Sequence, residues 1–223
     1  MRNVYIGDRG TLVQYLQLAL NRAGIQVKID GEFGRETCEG LRSFFGEGAG
    51  CYADRAIWEK LVPYLKGYIE YVIERGDTIN SIAQRYGSSV EHILNANPSL
   101  EDESNLEIGM NVKVPFSFEL VSEEVDYSSV LNDFIIEGLA VRYPFLVIGS
   151  IGQSVMGKEI NYVQIGTGEK QIFYNAGFHA NEWITSPLLM KFIEEFCLAY
   201  VNNTTIYSYR ARELFNNTSI YIV

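Results

Sequence analysis

Two side chains in the stretch AGFHANEWITS, residues 176–186, are of types that could do chemistry: His179 and Glu182. An imidazole nitrogen and a carboxylate oxygen are both ordinary zinc ligands, at about 2.0–2.2 Å from the ion. A separation of three residues puts them on one side of a helical turn. The same H-x-x-E spacing also arises by chance, and a histidine hydrogen-bonded to a nearby glutamate satisfies it equally well. A catalytic zinc site needs three protein ligands and one open position. The chain contains two histidines, and the other, His92, falls in a separate helical segment beside Glu91, where it reads as a surface residue.

The elements that must position the pair can be read around it. A helical period runs from Tyr127 through Val130, Leu131, Phe134, Ile135 and Leu139, and Pro144 stops it. Three strand-like runs follow, FLVIGSIGQS, INYVQIG and QIFYNAG, with Gly149/Gly152 and Gly166/Gly168 expected as turns. A long apolar helix is expected over about 183–200, then a short helix near TIYSYRARELF and a last strand, SIYIV. This pattern predicts an α/β sheet with the His-Glu pair just beyond the carboxyl end of a strand, where such sheets commonly carry their sites.

The combination RYP, IGxSxxGKEI and YNAGFHANEWIT resembles the zinc carboxypeptidase family of the carboxypeptidase A type, over roughly residues 120–223. The resemblance implies the N-terminal part of an α/β carboxypeptidase domain, with zinc as cofactor and His179 and Glu182 as its first two ligands. In the family the metal acts as a Lewis acid on the scissile carbonyl, and a separate glutamate takes a proton. Asn181 stands where the pancreatic members carry a substrate-contacting arginine, so their C-terminal specificity is not implied. The family's third ligand and catalytic glutamate follow a strand corresponding to SIYIV. The 223 residues are therefore expected to hold a partial zinc site and no catalytic residue, and to be inactive alone.

Two further segments precede this one. In GTLVQYLQLALNRAG, Leu12, Val13, Leu16, Leu20 and Ala23 lie near helical spacing and Gly24 ends the helix. Asp30-Gly31 and Gly34 form a tight turn, Thr37 is expected to cap a second helix through Leu41, Phe44 and Phe45, and ADRAIWEKLVPYL gives a third that buries Ile57, Trp58 and Leu61. V-x-x-L-Q-x-x-L followed by D-G-x-F-G-x-x-T resembles the three-helix peptidoglycan-binding domain over residues 1–66. Asp30, Gly31, Phe33 and Gly34 serve equally well as builders of the turn alone.

Residues 67–116 read as strand, helix, helix, strand. Here V-x-x-G-D-T-x-x-x-I-A-x-x-Y-G, I-L-x-A-N-P and L-x-x-G-M-x-V-x-V-P resemble a βααβ LysM domain. That resemblance implies a shallow groove for N-acetylglucosamine-containing glycan, formed by Gly76, Asp77, Thr78 and Ile79 on one side and Asn105, Leu106 and Ile108 on the other. Ile79 and Leu106 also fit the apolar period of a core. The acidic FSFELVSEEVD then reads as a short linker, with a third domain over 117–223.

Composition narrows the partners. With 28 Asp+Glu against 18 Lys+Arg and a net charge of -10, the chain has no basic block for nucleic acid. No apolar run reaches the roughly 20 residues of a membrane helix, and MRNVYIGDRG has no secretory pattern, so a cytoplasmic or spore compartment is expected. Cys38, Cys51 and Cys197 lie far apart and read as ordinary apolar residues. The order of segments resembles that of γ-D-glutamyl-L-diamino acid endopeptidases, which cut the stem peptide of peptidoglycan. The expected partner is therefore peptidoglycan, both its glycan and its stem peptide. The alternative is a non-catalytic glycan-binding protein with a degenerate peptidase remnant.

Overall fold

A buried glutamine organises the first 66 residues. The structure, a computed structural model, describes residues 1–100, 106–179 and 181–223. Helix α1 (Thr11–Arg22) buries Val13, Leu16 and Leu20, and among them Gln17. The Gln17 Nε2 donates to Asp30 Oδ1 at 2.9 Å and Thr37 Oγ1 at 3.1 Å, while its Oε1 accepts from the amides of Asp30 and Gly31 at 3.1 and 2.8 Å. A buried amide must find such partners, and here they come from the glycine turn. Gly31 sits at φ 71°, a left-handed conformation that side chains disfavour. Helix α2 (Arg35–Phe45) starts earlier than expected, with Gly34 at its N-cap. Thr37 lies within its first turn, because its hydroxyl is drawn to Gln17 rather than to a cap.

Helix α3 (Arg55–Lys66) is capped by Asp54, whose carboxylate accepts from the Ile57 amide at 3.0 Å, and it buries Trp58, Leu61 and Leu65. Strands β1 (Val4–Tyr5) and β2 (Tyr52–Ala53) form a small antiparallel ribbon with buried Val4 opposite buried Ala53. One expectation fails here: Cys38 and Cys51 are joined in a disulfide, with Cα atoms 4.8 Å apart. The chain between them doubles back from α2 into β2, and that closure brings together two thiols whose spacing carried no signal. Cys197 alone among the described residues is a free, buried thiol.

The next segment has the expected βααβ order: β3 (Tyr68–Val72), α4 (Ile79–Tyr86), α5 (Val90–Ala96) and β4 (Asn111–Pro115). The two strands pair antiparallel from Tyr68 opposite Pro115 to Val72 opposite Asn111. Thr78 caps α4 in a reciprocal box with Ser81, and Gly87 closes it at φ 60°. The core is aliphatic, with Ile73, Ile79, Ile82, Ile93, Val112 and Val114 buried together.

The acidic stretch read as a linker is packed. Arg22 donates to the carbonyls of Tyr64, Glu119 and Leu120, and its guanidinium lies 4.7 Å from the Phe118 ring centre. The Asp126 amide donates to Gln14 Oε1, and the Tyr15 hydroxyl donates to the Asp126 carbonyl at 2.8 Å. Leu120, Val121 and Val125 are buried. Its buried apolar positions and its backbone carbonyls hold it along α1.

Two compact units are formed, Met1–Phe134 and Ile135–Val223, divided within helix α6 (Ser129–Arg142). In the second, β5 (Val147–Gln153), β6 (Glu159–Ile165) and β7 (Lys170–Tyr174) precede α7 (Thr185–Val201). A short ribbon of β8 (Thr205–Ile206) and β9 (Tyr209–Arg210), then α8 (Ala211–Asn217), lead to β10 (Thr218–Ile222). The sheet order is β5-β6-β10-β7, with β10 antiparallel to β6 and parallel to β7. Gly149 and Gly152 are not turns: both lie within β5, and Gly149 stands opposite Tyr162, whose ring would have to shift to admit a side chain there. The β5–β6 turn instead uses Gly157 at φ 71°. Arg142 and Glu194 form a buried ion pair at 3.4 Å that ties α6 to α7. Burial pushes the neighbouring Tyr143 hydroxyl up to about 12. Among the described residues, no helix is long and apolar enough to cross a membrane.

Candidate functional site

Two strand-to-helix loops carry the residues singled out from sequence. The first joins β3 to α4. Beyond the last strand pair, the Ile73 amide donates to the Met110 carbonyl at 2.8 Å and the Gly109 amide donates to Ile73 at 2.9 Å. These bonds bring the loop after β3 against the segment before β4, as a two-sided groove requires. Gly76, at φ 92°, and Thr78 are exposed in this loop, and Ile108 is 70% exposed on the other side. Ile79 is fully buried, so only its backbone is available to a ligand, and Leu106 packs against the core. Asn105 lies outside the described residues.

Asp77 is occupied by its own domain. Its Oδ2 accepts from the Tyr71 hydroxyl at 2.6 Å and from the Glu74 amide at 2.9 Å, and its Oδ1 accepts from Arg85 at 3.1 Å. The Tyr71 hydroxyl first, then the Glu74 amide and the Arg85 charge, hold the carboxyl below the usual carboxylate range. The same contact raises the Tyr71 hydroxyl above its ordinary value.

The second loop joins β7 to α7. The end of β7 is held by Val223, whose amide donates to the Tyr174 carbonyl and whose carbonyl accepts from the Ala176 amide, both at 3.0 Å, and the chain then turns at Gly177, φ 62°. Thr185 closes the loop: its Oγ1 accepts from the Gly177 amide at 2.8 Å and donates to the Glu182 carbonyl at 2.7 Å. The Glu182 amide donates to the His179 carbonyl at 2.9 Å, so the pair lies on a tight turn before α7 rather than on the helix itself. The His179 Nδ1 and the Glu182 Oε1 are 2.9 Å apart, with side chains 67% and 46% exposed. Phe178 and Trp183 flank them, also exposed.

Two donor atoms this close, on exposed side chains, fit two positions around one ion at zinc–ligand distances near 2.1 Å. Among the described residues there is no group of three or more His, Cys, Asp or Glu that could hold a metal. His92 belongs to the LysM-like fold, half-buried on α5, with its backbone amide bonded to the Ser89 cap.

Residues 134–223 match the zinc carboxypeptidase family, and residues 71–115 match the LysM domain. One segment of the chain is thus similar to LysM domains and another to zinc carboxypeptidases. Over 101 residues it is 44% identical to gamma-D-glutamyl-L-diamino acid endopeptidase 1 of Lysinibacillus sphaericus, covering 45% of this chain and 25% of that protein. It is 32% identical over 116 residues to the uncharacterized protein YqgT of Bacillus subtilis (strain 168), covering 49% of this chain and 31% of the relative. The chain thus spans between a quarter and a third of the curated relatives it matches. A putative carboxypeptidase A of Shewanella denitrificans OS-217 overlays with a TM-score of 0.38 at 15% identity, over 70% of this chain and 44% of that one.

Sequence reasoning brought His179 and Glu182 together, and it missed the residues that hold each loop. Thr185 had a signal, a hydroxyl residue just ahead of an apolar helical run. Tyr71 and Arg85 had none, since their partner is reached only when β3 and α4 pack.

Proposed function

We propose that this chain is the glycan-anchored N-terminal part of a zinc peptidase acting on peptidoglycan stem peptides, of the γ-D-glutamyl-L-diamino acid endopeptidase type. The observation that carries it is the His179–Glu182 pair on an exposed turn beyond β7, in a segment matching the zinc carboxypeptidase family. In this reading residues 1–66 form a peptidoglycan-binding domain, 67–116 the LysM domain and 117–223 the peptidase portion. His179 and Glu182 would hold the zinc, whose chemistry when bound is Lewis-acid polarisation of a carbonyl. The chain's own part is to orient those ligands: Gly177 and Thr185 hold the turn, and both Glu182 oxygens are aimed at His179.

On the LysM side, the backbone of Gly76, Thr78 and Ile79 would meet sugar hydroxyls, and Ile108 would meet an acetamide methyl. Two binding modules on one chain raise the local concentration of a peptidase at an insoluble substrate. Sedimentation with purified peptidoglycan, zinc content and cleavage of a D-Glu-γ-diaminopimelate peptide test the reading on the 223 residues and on the longest natural form of the chain. Wall binding with zinc-dependent cleavage by the longer form supports it. Wall binding with no cleavage by either form supports the alternative, a non-catalytic binding protein. No wall binding at all sinks both.

A further inference from the structure

We infer that Tyr71, Asp77 and Arg85 form a clamp that positions the glycan-binding loop of the LysM domain, and that the Asp77 side chain contacts this clamp rather than sugar. The inference rests on the glycan-binding reading above. Its basis is the saturation of the Asp77 carboxylate. Three donors from three places converge on it: the Tyr71 hydroxyl from β3, the Glu74 amide from the loop and the Arg85 guanidinium from α4. Its side chain is only 6% exposed, so it presents almost no surface to a ligand.

The clamp is closed on itself. Arg85 Nη1 donates to the Tyr71 oxygen at 2.6 Å, which leaves the Tyr71 proton directed at Asp77, and the guanidinium also lies 5.5 Å from the Tyr71 ring centre. The Tyr86 ring packs 5.5 Å from the same tyrosine. The loop between these anchors, Glu74 to Thr78, contains the left-handed Gly76 and ends on the Thr78 cap. Both ends are therefore fixed, one by the carboxylate and one by the helix, and the exposed backbone between them is presented in one shape. Groove preorganisation of this kind lowers the ordering cost of binding.

Tyr71→Phe and Arg85→Met test the clamp, with Ile108→Ser as a variant of the groove itself and a soluble N-acetylglucosamine oligomer as the probe. Titrations run well below each variant's melting temperature read affinity of the folded state, and amide exchange reads protection of the Glu74 amide. The expected result is an affinity loss of about tenfold in both clamp variants, the scale of one lost charge-assisted bond, with faster exchange at Glu74. Arg85→Lys should recover part of it. The pH profile adds a readout that simple destabilisation would not move. With Tyr71, Arg85 and the Glu74 amide facing Asp77, wild-type binding should persist below the usual carboxylate range, and Tyr71→Phe should shift its loss to higher pH. Wild-type affinity in both clamp variants overturns the clamp while leaving glycan binding intact. No binding by the wild-type chain overturns the glycan reading and the use assigned to the clamp together.

Discussion

The β3–α4 and β7–α7 loops pose the same local problem and solve it to different degrees. Each leaves a strand, turns at a left-handed glycine and delivers a polar pair or triplet to the start of a helix. In the first, the acidic side chain is buried and bonded by three donors from its own domain. In the second, the acidic side chain meets, among the described residues, its neighbour His179 on an exposed turn. An acid fully satisfied by its own fold holds shape. One left at the surface beside an imidazole keeps its coordinating capacity for something else.

The largest expected effect lies in the helix that follows the second loop. Glu194→Ala should cost about 3–5 kcal/mol, because it removes the carboxylate that faces the buried Arg142 guanidinium between α6 and α7. Urea denaturation measures this, and a loss under about 1 kcal/mol would mean the pair is not held dry. For the first unit the corresponding staple is the disulfide. Cys51→Ser should lower its stability by about 3 kcal/mol, the scale for a loop of this size. Thiol titration of denatured wild-type chain should find one reactive thiol without reductant and all three with it.

Alkaline pH probes the second unit next. The buried Tyr143 hydroxyl is neutral in the folded state up to about 12, whereas an unfolded tyrosine ionises near its usual value of about 10. Its contribution is therefore complete below about pH 10 and is lost as pH rises toward 12, amounting to about 2–3 kcal/mol. Tyr143→Phe should flatten that part of the stability profile, and an unchanged slope would refute the assignment. The smallest effect belongs to the exposed pair itself: His179→Ala should change stability by under about 0.5 kcal/mol, read by the same denaturation. A larger loss would mean that His179 is a structural residue, and the contrast between the loops would fail.

Much of the fold was legible where the signal is local. Helix α4 with its Thr78 cap and Gly87 stop, the βααβ order, and the strands β5, β6, β7 and β10 follow from period, caps and turn residues. Gly149 misled because a glycine within a strand and a glycine in a turn look alike until the Tyr162 ring opposite is known. Thr37 misled because a buried amide on another helix outcompeted the cap. The nearness of His179 and Glu182 was legible from their spacing, but their place on a turn depended on Thr185 and Gly177 bonding across the loop.

By itself, the sequence determined most of the longer helices and strands, several of the glycine turns, and that an imidazole and a carboxylate stand within reach of one ion. Those properties depend on sterics and periodicity over a few residues. Tertiary structure decided that Cys38 meets Cys51, that Gln17 gathers the D-G turn, that β10 inserts between β6 and β7, and that Asp77 faces inward. Each is a pairing between groups brought together by closure of the chain, so its partner is chosen by packing and by the need to satisfy buried polar groups.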